Sequence, residues 1–258
     1  PQYVEASTLL SAIHLISGDS GEAIEVLKNS IKANAKAVDL RKILAKIYIS
    51  RKEYEDAERI LIKLKDLKKD DYEYIVSLAR FYISTDALDK AGKLLLDAAY
   101  ETSDDTERYY FYANFLSKYK SVKEAEEFII AAIKTHKYKD KLRLGLGLLY
   151  EQSKDYEKAS DIYSLILDNN KYSPESISAM NRLASLHLSK NELEEASQYI
   201  EKILIENPKD QNAHLTKGKI ALINKDANEA INSFRTYLKD QPDVIDVYLL
   251  LAKAYMIN

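Results

Sequence analysis

The sequence contains no cysteine and no tryptophan, and only six glycines and four prolines occur among its 258 residues. Without cysteine, the chain can form no disulfide, no thiolate nucleophile and no zinc site of the cysteine type. Few glycines and prolines are available to form tight turns, which argues against an all-β sandwich or an α/β enzyme with glycine-rich loops. These absences exclude disulfide-stabilised folds and most turn-rich architectures.

Neither sign of charge is in clear excess, because 38 basic side chains face 41 acidic ones and give a formal net charge of −3. A dedicated nucleic-acid-binding protein usually has a basic excess, so no nucleic-acid partner is predicted. No stretch approaches the roughly 18–20 apolar residues that span a bilayer, so we predict no membrane insertion within this segment. No targeting signal is recognisable either, which leaves the cytoplasm and a bacterial periplasm open as compartments.

A constant period of about 34 residues runs along the chain, and internal repetition of this kind indicates a repeat architecture. An alanine that follows a short polar turn recurs at this step, with one longer step between Ala159 and Ala196. This alanine column contains Ala23, Ala57, Ala91, Ala125, Ala159, Ala196 and Ala230. Twelve residues earlier lies a small column, which contains Ser11, Ala45, Ala79, Ala113, Gly147, Ala184 and Gly218.

Two further columns keep the same spacing. An aromatic column follows the small column by three residues and contains His14, Tyr48, Tyr82, Leu116, Tyr150, His187, Ala221 and Tyr255. A bulky column follows the alanine column by four residues and contains Leu27, Leu61, Leu95, Ile129, Tyr163, Ile200 and Phe234. The small residues would lie where neighbouring helices, with axes about 8–10 Å apart, approach most closely.

Apolar residues between the columns recur at steps of three and four, which is the period of a helix. Each copy therefore predicts two helices of about twelve to fourteen residues, joined by a tight turn. Four residues with side-chain oxygens stand where first helices are expected to begin, so we predict that they are N-caps. They are Asp71, Asp105, Ser176 and Asp210.

This pattern, in which Pro174, Pro208 and Pro242 keep the same step, resembles the tetratricopeptide repeat. The resemblance covers essentially the whole chain, as seven copies and the first helix of an eighth. It implies an all-α fold, a right-handed α-solenoid superhelix of helix-turn-helix units, as one array over residues 1–258. The copies would start near residues 4, 38, 72, 106, 140, 177, 211 and 245.

Two irregularities lead to further expectations. The longer step between Ala159 and Ala196 places three extra residues around 168–171, which predicts a longer second helix or a wider loop. The chain begins with a junction proline and finishes after one first helix, so we expect a fragment of a longer protein. The last helix, 245–257, would then expose an apolar face, through which end-to-end self-association is expected.

No arrangement of residues in the sequence points to catalysis. The four histidines (His14, His136, His187 and His214) are far apart, and none forms a known metal-binding pair. The sequence contains neither of the common glycine-rich phosphate-binding motifs. We therefore predict that this segment is not an enzyme and binds no metal or cofactor.

The resemblance implies a binding surface instead, because the first helices of tetratricopeptide repeats line a concave groove that receives a ligand. Carried over position by position, the candidate groove residues are Lys42, Lys46, Arg80, Tyr110, Asn114 and Asn181. Lys46, Arg80 and Asn114 share one column, where their donors could hold an extended peptide by its carbonyls or acidic side chains. The pattern is partly similar to the carboxylate clamp of some family members, but ordinary solvated polarity is the competing interpretation.

The predicted function is that of a non-catalytic scaffold that binds a peptide or partner protein in its concave groove. A second hypothesis is a structural segment of a larger bacterial envelope export or secretion assembly, which would use the ends and the convex face. A third, RNA reading, would require binding that weakens steeply with salt.

Overall fold

The computed structural model describes residues 4–69, 71–101, 105–167 and 172–257. Within these ranges the chain forms fifteen α-helices and no strand, which confirms the all-helical prediction. The helices are α1 Val4–Ile16, α2 Ser20–Ala33, α3 Val38–Ser50, α4 Tyr54–Leu67, α5 Tyr72–Ser84, α6 Leu88–Glu101, α7 Thr106–Tyr119, α8 Val122–Thr135, α9 Lys139–Gln152, α10 Tyr156–Leu167, α11 Pro174–Ser189, α12 Leu193–Glu206, α13 Gln211–Ile223, α14 Ala227–Asp240 and α15 Ile245–Ile257.

Odd-numbered helices are the first helices of the copies, and even-numbered helices are the second. The described helices are 12 to 16 residues long, close to the expected length. The longest, α11, begins at Pro174, three residues before the start that the period suggests. Proline suits this place because its fixed φ matches the first helical turn, where its missing N–H is not needed. The prediction of a longer helix or wider loop around residues 168–171 lies outside the described residues.

Three of the four predicted N-caps are confirmed by their hydrogen bonds. The Oδ1 atoms of Asp71, Asp105 and Asp210 accept backbone N–H bonds of 3.1, 3.2 and 2.9 Å from the first turns of α5, α7 and α13. The fourth prediction is wrong: Ser176 is buried inside α11, and Ser173 Oγ accepts the Ser176 N–H at 3.1 Å. The helix starts earlier because Pro174 can occupy its first turn.

The turn within most copies ends the first helix with one residue in the left-handed backbone region. These residues are Gly18, Lys52, Asp86, Lys154, Asn191 and Lys225, with φ between 59° and 82°. The N–H that follows then bonds back to the carbonyl of the aromatic column, as from Glu53 to Tyr48 at 2.9 Å. In the fourth copy α7 continues to Tyr119, and Lys120 lies outside the left-handed region.

The chain divides into two compact units, residues 1–112 and 113–258, and the division falls within α7. Inside each unit the packed pairs among described residues join either successive helices or successive first helices, such as α1 with α3 and α11 with α13. Over the same described ranges, second helices contact only first helices. Contacts confined to adjacent copies are typical of a repeat protein.

Both columns of small residues lie inside the protein. All seven members of the alanine column have no exposed surface, and all seven members of the small column are buried. Since a large side chain at either position would separate the two helices of a copy, these columns set the distance at which each pair packs.

The first and last helices expose apolar side chains. Met256 of α15 is 85% exposed, and Leu249 and Ile245 are also exposed; Leu9 and Ile16 of α1 are exposed in the first unit. Self-association through α15 stays a prediction. In none of the described helices do length and apolar character together reach what a bilayer-spanning segment requires.

Candidate peptide-binding groove

A groove opens between the first helices α3 and α5 in the first unit. The Cα atoms of α3 and α5 stay more than 8 Å apart, unlike those of α1 and α3, and a cavity of about 550 Å³ lies between the two helices. We call it the α3–α5 groove, and its lining residues are Lys42, Ala45, Lys46, Ile49, Leu61, Leu64, Glu73, Tyr74, Ser77, Arg80, Phe81 and Ser84.

Three of the candidate residues predicted from the sequence come together in this groove. Lys42 and Lys46 are contributed by α3, and Arg80 by α5. Lys46 and Arg80 are exposed, and they occupy equivalent positions of adjacent copies, so the repeat places both on the same side. Glu73 is the one carboxylate in the lining, which leaves an excess of positive charge.

Lys42 is held against an aromatic ring. Its Nζ lies 5.1 Å from the ring centroid of Tyr74, a distance suited to a cation–π contact. A hydrogen bond with Tyr74 raises the pKa of Lys42, and the negative charges of Glu73 and Asp39 act in the same direction. The ammonium is therefore charged at neutral pH and is positioned before any ligand arrives.

The floor of the groove is apolar. Leu61 and Leu64 of α4 are buried there, as are Tyr74 and Phe81 of α5. Phe81 also packs edge-on against Tyr54, with ring centroids 6.3 Å apart. An apolar floor beneath a cationic rim can bind a segment that carries both acidic and apolar side chains.

The sequence analysis missed these floor residues because it considered only the solvent-facing positions of first helices. Tyr74 and Phe81 are seven residues apart and so share one face of α5, which is a signal that the sequence does contain. Leu61 belongs to the bulky column and was assigned to packing alone. Which second-helix residues reach the groove depends on the spacing between α3 and α5.

The other three candidates do not line this groove. Tyr110 is half-buried on α7 in the first unit, and Asn114 is half-buried on the same helix in the second unit. Asn181 is only 9% exposed, and its Nδ2 donates to Asp210 Oδ1 at 3.1 Å. The amide of Asn181 therefore joins α11 to the N-cap of α13.

The histidines of the second unit have local partners. His187 Nδ1 lies 2.7 Å from Glu192 Oε2, and the His187 ring stacks on Tyr199. His214 Nε2 lies 2.9 Å from the carbonyl oxygen of Pro208. Across the described residues, no group of three histidine, aspartate or glutamate side chains is arranged to hold a metal ion.

Comparison with known families gives the helical pairs a name. A family model described as tetratricopeptide repeat matches residues 14–78. Another, described as the second ARM domain of tetratricopeptide repeat protein 21, matches residues 49–258, which is more than half of the chain. The chain belongs to the tetratricopeptide repeat family. The constant period and the two small columns are thus the marks of tetratricopeptide repeats, and the recognition made from the sequence is confirmed.

Solved structures of other tetratricopeptide repeat proteins share this fold. A tetratricopeptide repeat protein from Parabacteroides merdae aligns with a TM-score of 0.57 and 18% identity, over 99% of this chain and 100% of that one. The APC/C hetero-tetramer Cut9–Hcn1 aligns with a TM-score of 0.50 and 16% identity, over 95% of this chain and 48% of that one. At these identities the likeness concerns the fold alone. No curated protein matches the sequence significantly.

Proposed function

We propose that this tetratricopeptide repeat protein is a non-catalytic scaffold that binds an acidic, extended segment of a partner protein in the α3–α5 groove. The observation that carries the proposal is the convergence of Lys42, Lys46 and Arg80 on one apolar-floored cavity. Family membership supports a protein partner, because tetratricopeptide repeats generally act in protein–protein interaction. The groove adds the chemistry that such a partner would present.

The charges favour acidic side chains. Arg80 can hold a carboxylate through two parallel N–H bonds, and Lys46 can act as a compact point charge beside it. Both are exposed and lie at the rim, where they also accelerate the encounter with an anionic partner. Glu73 offsets only one of the three positive charges.

The volume and floor favour a peptide with an apolar residue between acidic ones. A cavity of about 550 Å³ can accept side chains rather than a folded domain, and it falls in the usual range for ligand pockets of roughly 300–1,000 Å³. Successive side chains of an extended segment point in opposite directions. Acidic residues on one side can then meet the cations while an apolar residue contacts Leu61 and Phe81.

The test measures the fluorescence anisotropy of a labelled peptide in which glutamates flank leucines, beside a twin with lysines in place of the glutamates. The double variant Lys46→Glu with Arg80→Glu is expected to weaken binding of the acidic peptide at least tenfold. That loss corresponds to about 1.4 kcal/mol, within what two charge-assisted contacts supply. Far-UV circular dichroism confirms that helicity is unchanged.

The matched control, Lys63→Glu with Lys93→Glu, makes the same charge change at exposed sites on α4 and α6 outside the groove. It should retain binding within about twofold. Equal losses in the two double variants, or unchanged binding in the groove variant, would reject the groove. A structural segment that works through its ends, as in an envelope assembly, would give the second of these results.

A further inference from the structure

A second charged cavity lies in the other compact unit, beside the first turn of α9. Its volume is about 470 Å³. Four cationic side chains line it, namely Lys137, Lys139, Lys141 and Arg143, together with the carboxylates of Asp140 and Glu175. We call it the α9 pocket. The lining has a net formal charge of two positive units, and the α3–α5 groove contributes nothing to it.

The excess positive charge belongs to the lysines. Arg143 is already paired, because its Nη1 lies 2.7 Å from Asp140 Oδ1 one helical turn earlier. Around Lys139 and Lys141, no carboxylate of the described residues lies within 4 Å of the ammonium. These two groups can therefore turn toward a ligand without first leaving an ion pair.

Tyr138 holds two of the lysines close together. The Nζ atoms of Lys137 and Lys141 lie 4.7 and 5.3 Å from the centroid of its ring, so both ammonium groups lie against one aromatic side chain. The ring of His136 also contacts Tyr138, at 5.7 Å between centroids. Because these groups already surround the ring, stacking of a nucleobase on it is disfavoured, which argues against single-stranded nucleic acid as the ligand.

We propose that the α9 pocket binds a phosphoryl group carried by a partner protein. A phosphorylated side chain has a charge of about −1.5 to −2, which matches the net charge of the lining, whereas one carboxylate supplies about half of it. Its three oxygens can accept hydrogen bonds from several compact lysine ammonium groups at once. A flat anionic membrane fits less well, since Asp140 and Glu175 line the same concavity and would face its negative surface.

The test compares a labelled peptide that contains one phosphoserine in a glycine–alanine context with its unphosphorylated twin, by fluorescence anisotropy at fixed salt. The intact chain is expected to bind the phosphopeptide at least tenfold more tightly than the twin, with inorganic phosphate as a competitor. The variant Lys139→Gln with Lys141→Gln should lose at least tenfold in this affinity. The control, Lys190→Gln with Lys209→Gln, removes the same charge at exposed sites of the same unit and should stay within twofold.

Four results would overturn the proposal: equal binding of the two peptides, equal losses in the two double variants, equally tight binding of a glutamate-substituted peptide, or a preference for phosphatidylserine vesicles that the pocket variant abolishes. The groove variant Lys46→Glu with Arg80→Glu should bind the phosphopeptide normally. The two sites are therefore tested independently, and either can fail without the other.

Discussion

Gly147 lies against the ring of Tyr163, so that a Cβ atom on Gly147 would stand 2.2 Å from Tyr163 Cε1. Gly218 has the same relationship with Phe234, at 2.5 Å to Cε1. Both pairs join the small column to the bulky column of the same copy. The two glycines of the small column thus face its two aromatic partners, whereas alanine or serine stands opposite leucine or isoleucine in the other five copies. The two columns share one volume where the helices of a copy meet.

This sharing predicts the effect of Gly218→Ala. The added methyl group overlaps Phe234, which is fully buried, so we expect the free energy of unfolding to fall by about 1–3 kcal/mol. In a Phe234→Leu background the same substitution should be neutral or stabilising, because alanine favours a helix over glycine by roughly 0.5–1 kcal/mol. Urea denaturation followed by circular dichroism measures both effects.

The control is Gly21→Ala in α2, where the nearest atom to an added Cβ is Asp19 Oδ1 at 3.5 Å, an ordinary contact. This substitution should stabilise the protein slightly. If Gly218→Ala were equally harmful with phenylalanine or leucine at position 234, the two columns would not be coupled.

The left-handed turn residues predict a stabilising substitution. Lys154 has φ of 63°, a conformation that costs a side-chain-bearing residue about 1–2 kcal/mol. Lys154→Gly should therefore raise the free energy of unfolding by about 0.5–1 kcal/mol, after the greater freedom of glycine in the unfolded chain is counted. Lys120→Gly tests the same repeat position in the copy without a left-handed residue, and it should not stabilise. A gain at Lys120 as large as that at Lys154 would contradict the explanation.

A link between adjacent copies predicts pH dependence. Glu58 Oε1 accepts hydrogen bonds from Lys90 Nζ at 2.7 Å and from Tyr82 Oη at 2.8 Å, and Glu126 accepts one from Tyr150 Oη at 2.7 Å at the equivalent positions two copies later. The bonds from Lys90 and Tyr82 lower the pKa of Glu58 below its ordinary value of 4.5. The stability that this shift contributes is fully present above the ordinary value and is lost as pH falls through the lower pKa of the folded state.

Glu58→Gln should accordingly lower Tm at pH 7, and its difference from the unmodified protein should shrink as the pH falls below about 4.5. The effect at neutral pH should stay within about 1 kcal/mol, because the Lys90 side chain is 58% exposed. Thermal unfolding from pH 7 to pH 3 provides the measurement, and Glu55→Gln, exposed on the same helix, is the control. A difference that widens in acid would show that the sign is wrong.

Asn181 predicts a loss of stability rather than of binding. Its buried amide donates to Asp210, whose Oδ1 also caps α13 by accepting the Ala213 N–H at 2.9 Å. Asn181→Ala should lower the free energy of unfolding by about 1–2 kcal/mol, and Asn181→Asp by more, because two carboxylates would then meet. Asn232→Asp, at an exposed position of α14, should change it by less than about 0.5 kcal/mol. If Asn181→Asp were as harmless as this control, the link to α13 would not matter.

The periodic pattern by itself predicted the helical class, the family and nearly all of the turns, because each of these depends on residues close together in the chain. Lys46 and Arg80 could be placed on one side for the same reason: a constant step carries a position from one copy to the next. The start of α11 was misplaced because the inserted residues shift the period there and Pro174 begins a helix where a serine cap was expected.

The tertiary structure decided what depends on distances between helices and on the direction of side chains. The sequence does not reveal that α3 and α5 stand apart, that Lys42 lies on Tyr74, or that Asn181 turns inward to Asp210. The match of Gly147 to Tyr163 was present in the two columns, but only packing shows that they meet. Helical periodicity is a local property, whereas the shape of a groove is set by side chains from helices that are remote in the chain.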